Sequence, residues 1–338
     1  MDLLHVPQPV SVGLLLSYKC SIECRDCIYA CSPKYRGDWI SEEDARTILM
    51  QLSAIFNQSL NHKPQTISFN YSLHFTGGEP FLNFDLLLSL TRMAKELNIP
   101  FPFVETNCYW CRDDELTRNK LIQLKEAGLD GILISVNPFN IENIPFERME
   151  RAARISKDVF GANTIVYQEF YLDLFKKIGL KKTLPFEEFL KIVDPTHLRY
   201  IELLPMGRTP YKLGNLYRKY PAEYFFKESC REELTRNWHT HIDNYCNYIP
   251  GFCSGISLGD SGNLKSIFCG INLSKKPILK ALSAKLYDLY KIASSYGYEI
   301  NKYGYISKCH LCIDMRKYII EKTDEFTELS PRTYYLNL

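Results

Sequence analysis

Cys20-Ser21-Ile22-Glu23-Cys24-Arg25-Asp26-Cys27 decides how the rest of this 338-residue chain is read. Three cysteines at C-x3-C-x2-C spacing on one short loop can bind three irons of a four-iron four-sulfur cluster and leave the fourth iron open to a non-protein ligand. A zinc site is an alternative; structural zinc normally takes four ligands, and Cys31 could be recruited as the fourth. A loop of free cysteines is the plainest reading. Residues 11–17 ahead of the loop read as a short buried strand. Behind it, Ser41 with Asp44 gives an N-cap signal, and Ala45, Ile48, Leu49, Leu52, Ile55 and Phe56 recur at helical spacing. The local order is strand, cysteine loop, helix.

That order repeats. Residues 66–75 read as strand, 83–97 as a helix capped by Asn83, 101–105 as strand, 114–128 as a helix stopped by Gly128, and 132–136 as strand. Helices are expected over 146–159 and 186–193, and strands over 164–170 and 198–204. Strands alternating with helices predict an α/β fold with a parallel sheet, a partial (β/α)6 barrel over residues 1–209. In such a barrel the loops after the strands gather at one face, so motifs far apart in sequence converge. From 210 to 338 the alternation lapses into a Tyr- and Cys-rich stretch with a hairpin signal at 258–262, read as a second, small α+β domain.

Composition narrows the function. The chain is 46% hydrophobic and 24% charged with a formal net charge of +2, so nucleic acid is not the expected partner. No apolar run is long enough to span a membrane, and the N-terminus lacks a signal-peptide pattern, which predicts a cytoplasmic protein. In a reducing compartment, twelve cysteines in close-spaced clusters suggest metal binding rather than disulfides.

After the second strand stands Thr76-Gly77-Gly78-Glu79-Pro80. Two glycines let backbone come close to a ligand, and the Glu79 carboxylate can accept hydrogen bonds from a cation. Cysteine triad and Gly-Gly-Glu together resemble the radical S-adenosylmethionine superfamily. The resemblance implies that the cluster on Cys20, Cys24 and Cys27 takes an electron from a flavodoxin or ferredoxin. Its open iron binds the amino and carboxylate groups of S-adenosylmethionine, whose methionyl ammonium meets Gly77, Gly78 and Glu79. Cleavage then yields a 5′-deoxyadenosyl radical that abstracts a substrate hydrogen. Thr106 and Asn107, closing the third strand, and Ser135 and Asn137, closing the fourth, are similar to positions where the family places polar contacts to the cofactor; otherwise they are turn residues. Pro205-Met206-Gly207-Arg208 resembles the end of the last barrel strand in peptide-modifying members, and also reads as a simple loop.

Cys253, Cys269, Cys309 and Cys312 resemble the auxiliary-cluster extensions called SPASM and twitch, although Gly262 lies seven residues before Cys269 where the family pattern has five. Four cysteines can complete a second four-iron cluster, with two such clusters in the extension as the alternative, and a helix over 313–320 starting near Cys312 favours the cluster's negative charge; zinc is the rival. Cys108 and Cys246 are candidate hydrogen-atom donors to a substrate radical, or small packing residues. Cys111 shares the Cys108 loop, and Cys31 and Cys230 remain unassigned. Tyr245, Tyr248, Tyr303 and Tyr305 line a peptide groove or pack. The function expected is modification of a ribosomally made peptide or protein side chain. The alternatives are the same chemistry on a small molecule and a non-catalytic zinc or electron-transfer protein.

Overall fold

A computed structural model describes residues 2–59 and 66–338. The chain divides into two compact units, one of Val10–Cys24 and Ser32–Glu202, the other of Met1–Pro9, Arg25–Cys31 and Leu203–Leu338.

The first unit is a parallel sheet with helical crossovers. Its strands are β1 (Ser11–Leu15), β2 (Ser72–Thr76), β3 (Phe103–Thr106), β4 (Gly131–Ser135) and β5 (Thr164–Tyr167), and each lies beside its predecessor in sequence. Sequential order puts every right-handed crossover on the same side of the sheet, as in a barrel wall rather than a doubly wound sheet. The crossover helices α1 (Glu42–Ser59), α2 (Phe84–Glu96), α3 (Asp114–Ala127) and α4 (Phe146–Phe160) pack each against the next.

Boundaries follow local chemistry. The Asn83 carboxamide oxygen accepts from the Leu86 N–H and opens α2, Asp113 does the same for α3 through Leu116, and Gly128 ends α3 at φ +112°. Alternation along the strands separates two faces. Val12, Leu14, Leu73, Phe75, Val104, Ile132 and Ile134 form an apolar, fully buried set suited to the helices. The other set mixes Phe103 and Leu133 with His74, Thr76, Glu105 and Tyr167.

Two expectations change. The strand predicted over 164–170 stops at Tyr167, because Gln168 takes φ +62° and the helix Glu169–Lys177 begins at once. The sixth strand expected over 198–204 does not form among the described residues. The Asp194 carboxylate caps Thr196 N–H at 2.8 Å and winds Pro195–Tyr200 into a 3-10 helix, so turn chemistry overrides the apolar pattern. Of the six predicted strands, five therefore form among the described residues, paired in parallel in sequence order.

In the second unit an antiparallel hairpin joins β6 (Thr240–Ile242) to β7 (Tyr248–Ile249). The stretch 258–262, expected as a hairpin turn, instead pairs back on this hairpin, with Leu258 N–H donating to Tyr248 O at 2.9 Å, and then leads into the helix Leu264–Phe268. Helices α5 (Pro277–Ala284), α6 (Leu286–Ser295) and α7 (Lys308–Lys322) pack in succession, and the helix Arg332–Leu336 packs on α7. Helix α7 begins before the predicted start at 313, because the Ser307 hydroxyl caps it by accepting from His310 N–H at 3.0 Å. Cys309 and Cys312 therefore both lie in its first turns. Among the described residues no helix is long and apolar enough to cross a membrane.

Candidate functional site

The strand ends of the first unit carry the predicted motifs. After β2 the chain turns through Gly77 and Gly78, and Gly78 N–H donates to Ser17 O at 2.8 Å while Glu79 N–H donates to Lys19 O at 3.0 Å. The space the glycines leave open is filled by this neighbouring backbone. A Cβ on Gly77, at φ +126°, would stand 2.5 Å from Ser17 O, and one on Gly78 would stand 1.9 Å from Lys19 O. The turn is thereby locked to the segment that delivers Cys20.

Glu79 is 1% exposed. Its carboxylate accepts from the Thr106 hydroxyl at 3.0 and 3.1 Å, from Asn107 N–H at 2.9 Å and from Phe81 N–H at 3.2 Å. No Lys or Arg pairs with it among the described residues, and burial pushes its pKa up to about 7 against the pull of those hydrogen bonds. A buried carboxylate without a counter-cation suits an ammonium ligand. Thr106 in turn accepts from the Trp110 indole N–H at 2.9 Å and the Cys108 N–H at 3.0 Å.

Asn107 joins the two motifs. Its backbone N–H reaches Glu79, and its carboxamide donates to the Cys20 sulfur at 3.5 Å and to the Ser21 hydroxyl at 3.1 Å. A second carboxamide is arranged likewise: Asn140 donates to the Cys24 sulfur at 3.5 Å. Asn137 shapes that turn by accepting from Phe139 N–H at 2.9 Å and Asn140 N–H at 3.0 Å. Asn140 was not foreseen; its signal was the second Asn three residues after Asn137, where a capped turn would present it. Ser135, half-buried, ends β4.

Cys27 belongs to the second unit. Cys31 N–H donates to its sulfur at 3.3 Å. Hydrogen bonding from Cys31, with the Arg208 charge nearby, lowers the thiol's pKa to about 6 although burial opposes this. Arg208, itself fully buried, donates to Ala30 O at 2.6 Å and Cys31 O at 2.7 Å, and its N–H donates to Cys27 O at 3.1 Å. Gly207, at φ +58°, lies where a Cβ would be 2.4 Å from the Ile28 Cα. The Pro-Met-Gly-Arg segment therefore clamps the end of the cysteine loop.

Also in the second unit, Cys230, Cys253, Cys309 and Cys312 line one cavity together with Lys308 and Arg316. Four thiols facing one cavity suit either a four-iron cluster or a tetrahedral zinc ion. Burial, reinforced by the neighbouring cysteines, raises the Cys253 and Cys309 thiols to about 12 and Cys230 higher still. Such thiols stay protonated until a metal displaces the proton. Cys269 does not line this cavity; it is exposed at the end of the helix Leu264–Phe268. Cys230 stands before a four-residue helix, Arg231–Leu234, with no spacing motif to mark it.

The remaining candidates scatter. Cys108, at φ +67°, and Cys111 are both wholly buried, and burial pushes the Cys108 thiol well up. Cys246 sits at φ +61° between β6 and β7 and is partly exposed. Tyr248 and Tyr305 are buried packing residues, whereas Tyr245 and Tyr303 are 39% and 70% exposed, so the four do not share one surface. Among the described residues none of the twelve cysteines is in a disulfide.

No family profile and no curated protein matches the chain. Among solved structures it is similar to BtrN in complex with AdoMet and 2-DOIA, at 15% identity and TM-score 0.46 over 82% of this chain and 88% of that one. It is also similar to native anSMEcpe with bound AdoMet, at 14% identity and TM-score 0.43 over 93% and 97%.

Proposed function

We propose that this chain is a radical S-adenosylmethionine enzyme that modifies a peptide or protein side chain. One observation carries the reading: Asn107 bonds both the Cys20 sulfur and the buried Glu79 carboxylate, so the residue that would hold a cluster and the residue that would hold an ammonium are tied to one strand end. A zinc or purely structural site gives Glu79, which lacks a counter-cation among the described residues, no purpose.

On this reading Cys20, Cys24 and Cys27 ligate a four-iron cluster, and Asn107 and Asn140 direct N–H groups at two of the sulfurs, which favours the reduced cluster. The Gly77-Gly78 turn and Glu79 hold the methionyl ammonium, Thr106 fixes the Glu79 carboxylate, and Ser135 and Asn137 stand at the same edge of the sheet. Bound there, S-adenosylmethionine supplies a carbon radical once its sulfonium is reductively cleaved. A flavodoxin or ferredoxin is the proposed electron donor. Cys230, Cys253, Cys309 and Cys312 are the proposed ligands of an auxiliary four-iron cluster. The peptide class rests on the resemblance of residues 205–208 to peptide-modifying members.

The test is anaerobic reconstitution of the wild type and of a variant with Cys20, Cys24 and Cys27 all changed to Ala, with iron and sulfide counted and 5′-deoxyadenosine release assayed with dithionite. About eight irons in the wild type, about four in the variant, and release only from the wild type support the proposal. Zinc with no release refutes it. Release stimulated by small molecules but by no candidate peptide overturns the substrate class alone.

A further inference from the structure

Two cations line the four-cysteine cavity, and they differ in how their charge is met. Lys308 is paired: its ammonium lies 2.6 Å from a Glu233 carboxylate oxygen and donates to Ser229 O at 3.1 Å. Arg316 is 3% exposed, and no carboxylate pairs with it among the described residues. One terminal nitrogen donates to Ser254 O at 3.0 Å and to the Tyr335 hydroxyl at 2.8 Å, both neutral acceptors. Its Nε finds no hydrogen-bond partner. A guanidinium cannot shed its charge in a protein, and a buried charge is costly unless an opposite charge meets it.

The fold sets Arg316 against the cysteines. Arg316 follows Cys312 by one helical turn on α7, so the two share a face. Its bond to Ser254 O also fixes the residue next to Cys253. Tyr335 completes the cradle by donating to Gly255 O at 2.5 Å while it accepts from Arg316.

We infer that Arg316 is the counter-charge of an anionic iron–sulfur cluster bound by Cys230, Cys253, Cys309 and Cys312, and that it holds this cluster's reduction potential up. The inference rests on the proposed reading of the cavity as a cluster site. Reduction adds one negative charge beside a fixed, desolvated cation, so the cation stabilises the reduced form. Arg316 touches none of the reacting atoms; it is a positioning residue for charge.

The experiment uses the full chain with Cys20, Cys24 and Cys27 changed to Ala, so that only the second cluster contributes. Iron content and the EPR-monitored midpoint potential are compared for Arg316, Arg316→Lys and Arg316→Gln. Gln should lower the potential enough to change the oxidised-to-reduced ratio at least tenfold, about 59 mV for one electron, while Lys stays near the parent. Loss of iron from Gln but not from Lys supports the same conclusion, because Lys keeps the positive charge that Gln lacks. An unchanged potential in an iron-replete Gln variant, or loss of iron from Lys as well, overturns it. Zinc in place of iron in the parent refutes the cluster reading itself, a separate failure read from metal content before any potential is measured.

Discussion

Glu79→Gln tests the site where its chemistry is most exposed to measurement. Glu79 is ordinarily an acid of pKa 4.5, raised here to about 7 by burial. An ammonium ligand binds the carboxylate form, so apparent affinity scales with the ionised fraction: roughly a tenth at pH 6 and roughly nine tenths at pH 8. Affinity for S-adenosylmethionine should therefore rise about tenfold across that interval, with a proton released on binding. The ligand's own amine titrates in both proteins, so the difference between the wild-type and Gln profiles isolates Glu79. At pH 8 the Gln variant should bind roughly 10–100-fold more weakly, the worth of a charge-assisted hydrogen bond. Without ligand the sign reverses. An acid whose folded pKa is raised binds its proton more tightly folded than unfolded, so stability is lost as pH rises from about 4.5 through about 7, by about 3 kcal/mol for this shift. Glu105, also raised to about 7 by burial, acts in the same direction. Calorimetric titration from pH 6 to 8 and chemical unfolding from pH 5 to 8 read the two effects. Parallel profiles for wild type and Gln in both assays would refute the argument.

Gly78→Ala puts a Cβ into the Lys19 carbonyl and should cost about 2–4 kcal/mol; an unfolding midpoint equal to wild type contradicts the locked turn. Cys230→Ala should lose about four irons and Cys269→Ala none, whereas the reverse restores the ligand set expected from spacing. Asn140→Ala removes a hydrogen bond to the Cys24 sulfur; iron should be retained and the first cluster's potential should fall, by EPR titration, and no shift would mean that this contact is packing only.

Much of the first unit was legible because its signals are local. Asn83, Asp113 and Gly128 each act within one turn of their own helix, and the helices they bound form as read. The misreadings came where two local rules compete. Residues 198–204 are apolar enough for a strand, yet Asp194-Pro195 upstream had already committed the chain to a 3-10 turn. The glycines at 77 and 78 were read only for close approach to a ligand; that their missing Cβ atoms also admit the backbone of residues 17–20 is a contact between two strand ends that no spacing rule displays. The place of Cys230 in the cavity was hidden for the same reason. It joins Cys253, Cys309 and Cys312 only through tertiary packing, whereas Cys269 offered a sequence pattern and no neighbours in the cavity.

The proposed ligand set constrains the proposed chemistry. With Cys230 included, an auxiliary four-iron cluster has a thiolate for every iron and no open position, so it cannot capture a substrate sulfur and is left with electron transfer. That outcome favours oxidation of the substrate radical over redox-neutral epimerisation, which needs a thiol hydrogen donor instead. The two donor candidates differ here. Cys108 is sealed, with no exposure and a hydrogen-bonded turn around it, while Cys246 stands in an accessible turn. Cys108→Ala should therefore act through stability alone. If Cys246→Ala stops turnover while cofactor cleavage continues, the epimerising route replaces the oxidative one, and the closed cluster would then need a role other than accepting the substrate's electron.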